Sequence, residues 1–282
     1  MHRLSSYPFP ADGLVCYYHT ASVRNAIDII RNAHLFASLP SRVNDPADLK
    51  LNLRGCLNSS YLGDALVRNA FSPNCLDLLS AQTISDASAE SVARKTLIDK
   101  VYRFVCFATA DKVDVDKRSA YRFWNEYAGH FKGVRFKFKI SNSFTRTPKP
   151  EKVLCDFITY GVRSAELDLS NLNSSTDIFT VLEDSNFLDC FAYTKSQKWS
   201  GEFEFRIGTV VKYLSNVISE ITKAKALFFD FDMSHLLEVC VGEDATAVDK
   251  QKLLQEASRL GIQVKEASRD CRSKQITYKH LL

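Results

Sequence analysis

The chain has 282 residues, of which 45% are apolar and 25% charged, and its 37 basic against 33 acidic side chains leave a net charge of only +4. That is the ordinary globular range, long enough to bury a sizeable core and free of low-complexity stretches. So small an excess excludes an argument for a polyanionic partner from charge alone, while permitting a local basic groove.

Eight cysteines, at 16, 56, 75, 106, 155, 190, 240 and 271, form no C-x-x-C and have no metal-ligand spacing with histidine. Val105-Cys106-Phe107 and Val239-Cys240-Val241 read as thiols packed among hydrophobes. Met1 to Asp12 lacks the basic flank and apolar stretch of a signal peptide, and no run approaches the ~20 apolar residues of a membrane span. A cytoplasmic protein with no metal and no membrane partner is expected; oligomeric state is not legible.

In chain order, Val15 to His19 is a β-rich run ending in the capping residues Thr20-Ala21-Ser22. Helical spacing follows at Val23, Ile27, Ile30 and His34. Asn44-Asp45-Pro46 makes a polar turn whose side chains bond to local backbone. From Leu49 to Ala110 the pattern is mostly helical, with Ala93, Leu97, Val101 and Phe104 on one face, and it runs into a strand over Phe104 to Ala108. A helical insertion is predicted at about 49–103. A helix around Tyr121 to His130 leads through Gly133 to Val134-Arg135-Phe136-Lys137-Phe138-Lys139-Ile140, an alternating strand with one apolar and one basic face.

Ser164 to Asp189 reads as a long loop or a partly helical excursion. The strand Glu202 to Ile207 alternates, with Phe203, Phe205 and Ile207 on one side and Glu202, Glu204 and Arg206 on the other. A strand near Leu236 to Val241, a helix with Leu253, Leu254, Ala257 and Leu260 on one side, Gly261 as C-cap and a strand from Ile262 to Lys265 close the chain. These elements predict a single α+β domain over 1–282.

Glu202 and Glu204, two apart on a strand, would lie about 7 Å apart on one face. Like charges that close raise one pKa unless a cation compensates, and Lys198, Arg206 or a substrate could be that cation. A solvent-facing Glu-Arg ladder fits the same pattern, but Trp199 and Gly201 just before it suggest a shaped loop, and an aromatic there can stack on a flat ligand. His19 and Thr20 form a donor pair at a strand end, suited to a ribose or phosphate oxygen, although a structural histidine and a capping threonine remain open. Trp124 and Tyr127 share one predicted helical face, either core or ring-binding. The stripe Arg135, Lys137, Lys139 suits a phosphate backbone or plain solvent. Gly-rich phosphate loops, H-E-x-x-H and G-x-S-x-G are absent.

Taken in order, Tyr18-His19-Thr20, Asn44-Asp45-Pro46, Trp124-x-x-Tyr127-Ala128 and Lys198-Trp199-x-x-Glu202-x-Glu204-x-Arg206 resemble a widespread bacterial family of uncharacterised domains, over roughly residues 15 to 280. The Tyr-His-Thr strand and the turn from Trp199 to Glu204 more distantly resemble the first and last signatures of ADP-ribosyltransferases, including toxins that modify DNA. That resemblance implies an ADP-ribosyltransferase-like mixed β-sheet core with flanking helices, and an enzyme that consumes NAD to modify a protein or nucleic acid, in a toxin, effector or phage-defence setting.

It also implies roles. Tyr18, His19 and Thr20, with Asn44 and Asp45, would hold NAD, and Trp124 or Tyr127 would stack on its nicotinamide. Glu204 would bond the nicotinamide-ribose hydroxyl and stabilise the oxocarbenium-like transition state. Glu202, with Trp199, Lys198 and Arg206, would orient the acceptor. The middle signature finds only a weak match in Phe107-Ala108-Thr109. Two other functions fit the residues: a non-catalytic nucleic-acid module using Arg135 to Lys139, and a nuclease gathering a metal on Glu202, Glu204 and Asp45.

Overall fold

The computed structural model describes residues 12–42, 48, 51–54, 102–147, 153–161, 165–168, 192–210, 215–218, 225–270 and 272–281. In chain order the strands are β1 (Leu14–Thr20), β2 (His34–Phe36), β3 (Leu51–Arg54), β4 (Tyr102–Thr109), β5 (Val134–Ile140), β6 (Thr145–Thr147), β7 (Leu154–Phe157), β8 (Thr159–Tyr160), β9 (Ala165–Asp168), β10 (Thr194–Lys195), β11 (Glu204–Val210), β12 (Ser215–Ile218), β13 (Lys225–Phe231), β14 (Leu236–Gly242), β15 (Val264–Asp270) and β16 (Gln275–His280). The helices that carry the packing are α1 (Val23–Asn32), α2 (Ala110–Val115), α3 (Lys117–Glu126) and α4 (Ala247–Arg259). This is an α+β fold. No helix among the described residues is long and apolar enough to cross a membrane.

An eight-stranded sheet in the order β16-β15-β14-β5-β1-β4-β11-β7 is the frame. It is mixed: β14 and β15 run parallel, the other neighbours antiparallel. A smaller sheet, β12-β13-β2 with β6 added to β13, and two parallel pairs, β8 with β10 and β3 with β9, complete it.

Side chains alternate across a strand, so the register assigns the faces. Cys16, Phe107, Phe136, Phe138, Phe205 and Ile207 project to one face. There they join Val23, Ala26 and Ile30 of α1, Leu253 and Ala257 of α4, and Phe229 and Phe231 of β13 in one apolar cluster. Each fully buried large side chain contributes roughly 1.5–3 kcal/mol, and their sum holds both helices on the sheet. The other face carries Tyr17 and Ala108 against Val113 of α2 and Phe123 of α3. Beside them, Trp124, Ala128 and Phe131 pack on Cys240 and Ala267. This second face builds the site.

The element boundaries follow from caps. Ser22, not Thr20, caps α1, accepting from the Asn25 amide at 3.2 Å. α1 then ends at Ala33, in the left-handed region at φ 50°, so His34 belongs to β2. α3 starts at Lys117, four residues before the expected Tyr121, because the Asp116 carboxylate accepts from the Arg118 amide at 3.1 Å. It stops at Glu126 because Gly129, His130 and Phe131 turn left-handed. Gly261, at φ 65°, follows α4 as its sequence suggests, but Leu260 is exposed rather than core. The closing strand runs on to Asp270 and pairs with β16, which the sequence pattern does not announce.

The helical insertion predicted at about 49–103 lies mostly outside the described residues, and its two described ends, β3 and the start of β4, are strands. Within 164–189, β9 is a strand and the remainder lies outside them.

Gly133 locks the α3–β5 turn onto β1. A Cβ there would stand 2.0 Å from the Thr20 carbonyl oxygen, against backbone rather than a movable side chain. Gly133→Ala should therefore cost roughly 1–3 kcal/mol or more, read as a lower urea midpoint. An unchanged midpoint would mean that the close approach is not needed.

Candidate functional site

β1 and β5 pair over seven residues, and so do β4 and β11, but β1 and β4 pair only at Cys16–Thr109 and Tyr17–Ala108. Beyond that point the seam is open. Tyr18 and His19 from β1, Phe104, Cys106 and Phe107 from β4, and Glu204 and Arg206 from β11 line a cavity of about 260 Å³. Lys195, Glu202, Asp48, Tyr127 and Phe123, together with Phe36, Ser38, Leu39 and Arg42, complete the lining.

The two glutamates arrive by a turn, not by one strand. Gln197–Glu202 is a 3₁₀ turn, Phe203 takes φ 46°, and β11 begins only at Glu204. A left-handed phenylalanine costs about 1–2 kcal/mol. The surrounding contacts offset it: the Thr109 amide donates to the Phe203 carbonyl at 3.1 Å, and Ser119 donates to the Gly201 carbonyl at 2.6 Å. The Glu204 amide is held separately, donating to the Tyr160 hydroxyl at 3.0 Å.

The turn delivers both carboxylates to one ammonium. Lys195 Nζ lies 2.6 Å from Glu202 Oε2 and 3.1 Å from Glu204 Oε2, with Asp48 at 3.8 Å. Arg206 is 0% exposed, and all five of its N–H donors find acceptors. Nε and Nη2 donate to Glu204 Oε1 at 2.9 and 2.6 Å, Nη1 and Nη2 to the two Asp48 oxygens at 3.0 and 2.9 Å, and Nη1 also to the Ala192 carbonyl at 2.7 Å. Glu202 Oε1 accepts from the Tyr127 hydroxyl, and Arg122 reaches it from the rim at 3.5 Å.

Ionisation follows the same geometry. Burial pushes the Glu204 carboxyl up, but Arg206 and Lys195 outweigh it and hold the group at about 2. Lys195 is driven the other way: burial opposes its charge, yet Glu204, Glu202 and Asp48 raise it. Burial, with Glu204 adding to it, lifts the Cys106 thiol well above its usual range, so it stays protonated and donates to Glu204. Burial first and Arg135 second hold His19 well below the usual histidine range, so it is neutral at pH 7. The His19 ring stacks on Phe123 at 5.2 Å.

Of the residues singled out in the sequence, Tyr18, His19, Tyr127, Glu202, Glu204 and Arg206 come together at the cavity. Thr20 is buried outside its lining. Trp124 and Tyr127 do not act together: Trp124 is core, stacked on Phe131 at 5.5 Å, and only Tyr127 reaches the site. Trp199 also stands outside the lining, its indole facing Arg122 at 4.8 Å, Lys195 at 5.0 Å and Lys198 at 5.4 Å. Lys198 thus faces the indole, and the pair's cation is Lys195. Asn44 and Asp45 lie outside the described residues.

The expected basic stripe is corrected as well. Arg135 is 4% exposed, boxed between Tyr17 at 4.0 Å and Tyr278 at 4.5 Å, and bonded to Glu238 at 3.3 Å. Lys137 is half-buried, and only Lys139 is exposed. Sequence reasoning missed Lys195, Asp48 and Cys106. A lysine flanked by Ala192-Tyr193-Thr194, within reach of two carboxylates, was the available signal.

Among the described residues no group of three or more His, Cys, Asp or Glu side chains is arranged to hold a metal ion. The four described cysteines, Cys16, Cys106, Cys155 and Cys240, are free thiols. Comparison with known family models, curated proteins and solved structures finds no match.

Removing Lys195 leaves two buried carboxylates sharing a space. Lys195→Met should cost about 3–5 kcal/mol at pH 7. The pH dependence carries the sign. Glu204 titrates at about 2 against an ordinary 4.5, so its contribution is present above pH 4.5 and is lost as pH falls towards 2. In Lys195→Met that acid-side loss should shrink, because protonating a carboxylate relieves the repulsion. Urea titrations of both proteins across that window test it, and parallel acid profiles would contradict the coupling.

Proposed function

We propose that this protein is an ADP-ribosyltransferase-like enzyme on a core of that kind, cleaving NAD between nicotinamide and ribose and passing ADP-ribose to a protein or nucleic-acid acceptor. The observation that carries the proposal is that His19 and the Glu202/Glu204 pair, more than 180 residues apart, line one cavity at an opened strand seam. A pair that was merely a solvent ladder would not be 4% exposed and bridged by a buried lysine.

In this mechanism the C–N bond breaks with its electron pair leaving on nicotinamide, and positive charge develops on the ribose. Glu204, ionised far below neutral pH, supplies a fixed negative charge beneath that sugar, which needs no reorganisation as the transition state forms. Its oxygens already accept from Arg206, Lys195 and Cys106. Glu202 Oε2 accepts only from Lys195 among the described residues, so it retains a lone pair for a ribose hydroxyl or for the proton of the acceptor nucleophile. Tyr127 fixes the rotamer of Glu202, and neutral His19 is free to donate to or accept from the ligand. The acceptor then forms the new bond to the anomeric carbon. NAD is a substrate, and no metal is required.

The two other functions lose support on specific grounds. Burial of Arg135 and partial burial of Lys137 leave only Lys139 exposed on the basic strand face, and Lys195 and Arg206 already occupy the carboxylates that a nuclease would turn towards a metal.

The test is nicotinamide release from NAD in the presence of protein and nucleic-acid acceptors. Glu204→Gln and Glu202→Gln should each lower kcat by about 10²-fold or more while the far-ultraviolet spectrum stays native. His19→Ala should act mainly on KM. No release by the wild-type protein would sink the proposal, and a Glu204→Gln variant as fast as wild type would remove Glu204 from it.

A further inference from the structure

The cavity is lined by three permanently cationic side chains, Arg42, Lys195 and Arg206. Two of them are already paired with buried carboxylates. Arg206 has no donor left after Glu204, Asp48 and the Ala192 carbonyl, and Lys195 is held between Glu202 and Glu204. His19, neutral at pH 7, offers a hydrogen bond but no charge. Arg42 differs from all of these. It is exposed, and among the described residues its guanidinium has no hydrogen-bond or carboxylate partner.

Its placement is nevertheless fixed. Arg42 closes the 3₁₀ turn Pro40–Arg42, with its amide bonded to the Leu39 carbonyl at 3.0 Å. Just before that turn, the Ser38 amide donates to the Phe104 carbonyl at 2.8 Å, fastening the segment to β4. Phe36, 38% exposed, lines the cavity as well. Phe36 and Arg42 therefore mark the mouth, while the carboxylate pair marks the floor. A space of about 260 Å³ is below the roughly 300–1,000 Å³ of pockets that enclose whole ligands, so it accommodates a ring with its sugar and not a dinucleotide.

We propose that Arg42 forms an anion subsite at the cavity mouth, which holds the phosphate attached to the enclosed nucleoside. This assignment rests on the NAD-consuming function proposed above: with the reacting ribose over Glu202 and Glu204, its 5′-phosphate leaves the cavity at Arg42. A guanidinium meets phosphate oxygens through paired N–H donors, which supplies both charge and direction.

The experiment compares nicotinamide mononucleotide with nicotinamide riboside, which differ only in that phosphate, by calorimetric titration of wild type, Arg42→Ala and Arg42→Lys. Wild type should bind the mononucleotide about tenfold tighter or more, the scale of one charge-assisted contact. Arg42→Ala should bind both alike, with riboside affinity unchanged, and Arg42→Lys should keep part of the preference. Persistence of the full preference in Arg42→Ala, its absence in wild type, or failure of wild type to bind either ligand would overturn the subsite. If instead the preference and its loss are observed but NAD yields no nicotinamide, the subsite stands and the enzymatic function falls.

Discussion

Arg206 sits wholly inside the protein, where a guanidinium costs several kcal/mol of desolvation unless it is neutralised in place. Its neutralisation ties together parts of the chain that are remote in sequence. Asp48 comes from the segment before β3, Glu204 from the first residue of β11, and the Ala192 carbonyl from the approach to β10. Because every donor is used, Arg206 leaves these acceptors almost no freedom. Lys195 extends the lattice from Glu204 to Glu202. The position of the carboxylate pair is thus a consequence of solvating one buried cation without water.

A second buried cation fixes the opposite end of the same sheet face. Arg135, between Tyr17 and Tyr278, lies across β1 and β4 from Glu204 of β11 and next to His19 in register. Its charge helps keep His19 neutral, and its guanidinium lies 6.0 Å from the Trp124 ring of α3. The Gly133 turn then pins the end of α3 to Thr20 and Ala21, which brings Tyr127 within reach of Glu202. One glycine therefore converts a sheet-to-helix connection into a contact between two walls of the cavity.

The sequence is most legible where periodicity and burial agree. The alternation of Val134 to Ile140, the pattern from β14 through Gly261 to β15 and the apolar run of β4 all mark real elements, because one face of each must be dry. Alternation misleads where a turn imitates it: Glu202, Phe203 and Glu204 read as a strand, yet a left-handed Phe203 gives the same convergence of carboxylates by another path. Arg135 reads as solvent-facing because charge is usually outside, and nothing local announces that Tyr278, 143 positions away, will box it. Asp48 is silent for the same reason, and Lys195, although its apolar flank is a signal, does not announce which carboxylates it meets. Their partners are set by strand order, with β11 beside β4 and β4 beside β1, and strand order is not written in any window of sequence.

The electrostatics of the cavity follow its depth. At the floor three carboxylates, Asp48, Glu202 and Glu204, meet Lys195 and Arg206, and Arg122, outside the lining, lies 3.5 Å from Glu202. His19 is uncharged, and the mouth carries the exposed Arg42, which has no partner among the described residues. Such a gradient favours a ligand that is cationic at its buried end and anionic where it emerges, and disfavours the reverse orientation by placing phosphate over carboxylate. NAD entering nicotinamide-first has that polarity. The same gradient bears on the proposed cleavage of NAD, because loss of neutral nicotinamide would move positive charge from ring to sugar, still over the floor. In that proposed reaction attraction would be retained in the transition state and not only in the bound substrate, which is the condition for a carboxylate pair to accelerate the step rather than merely tighten binding.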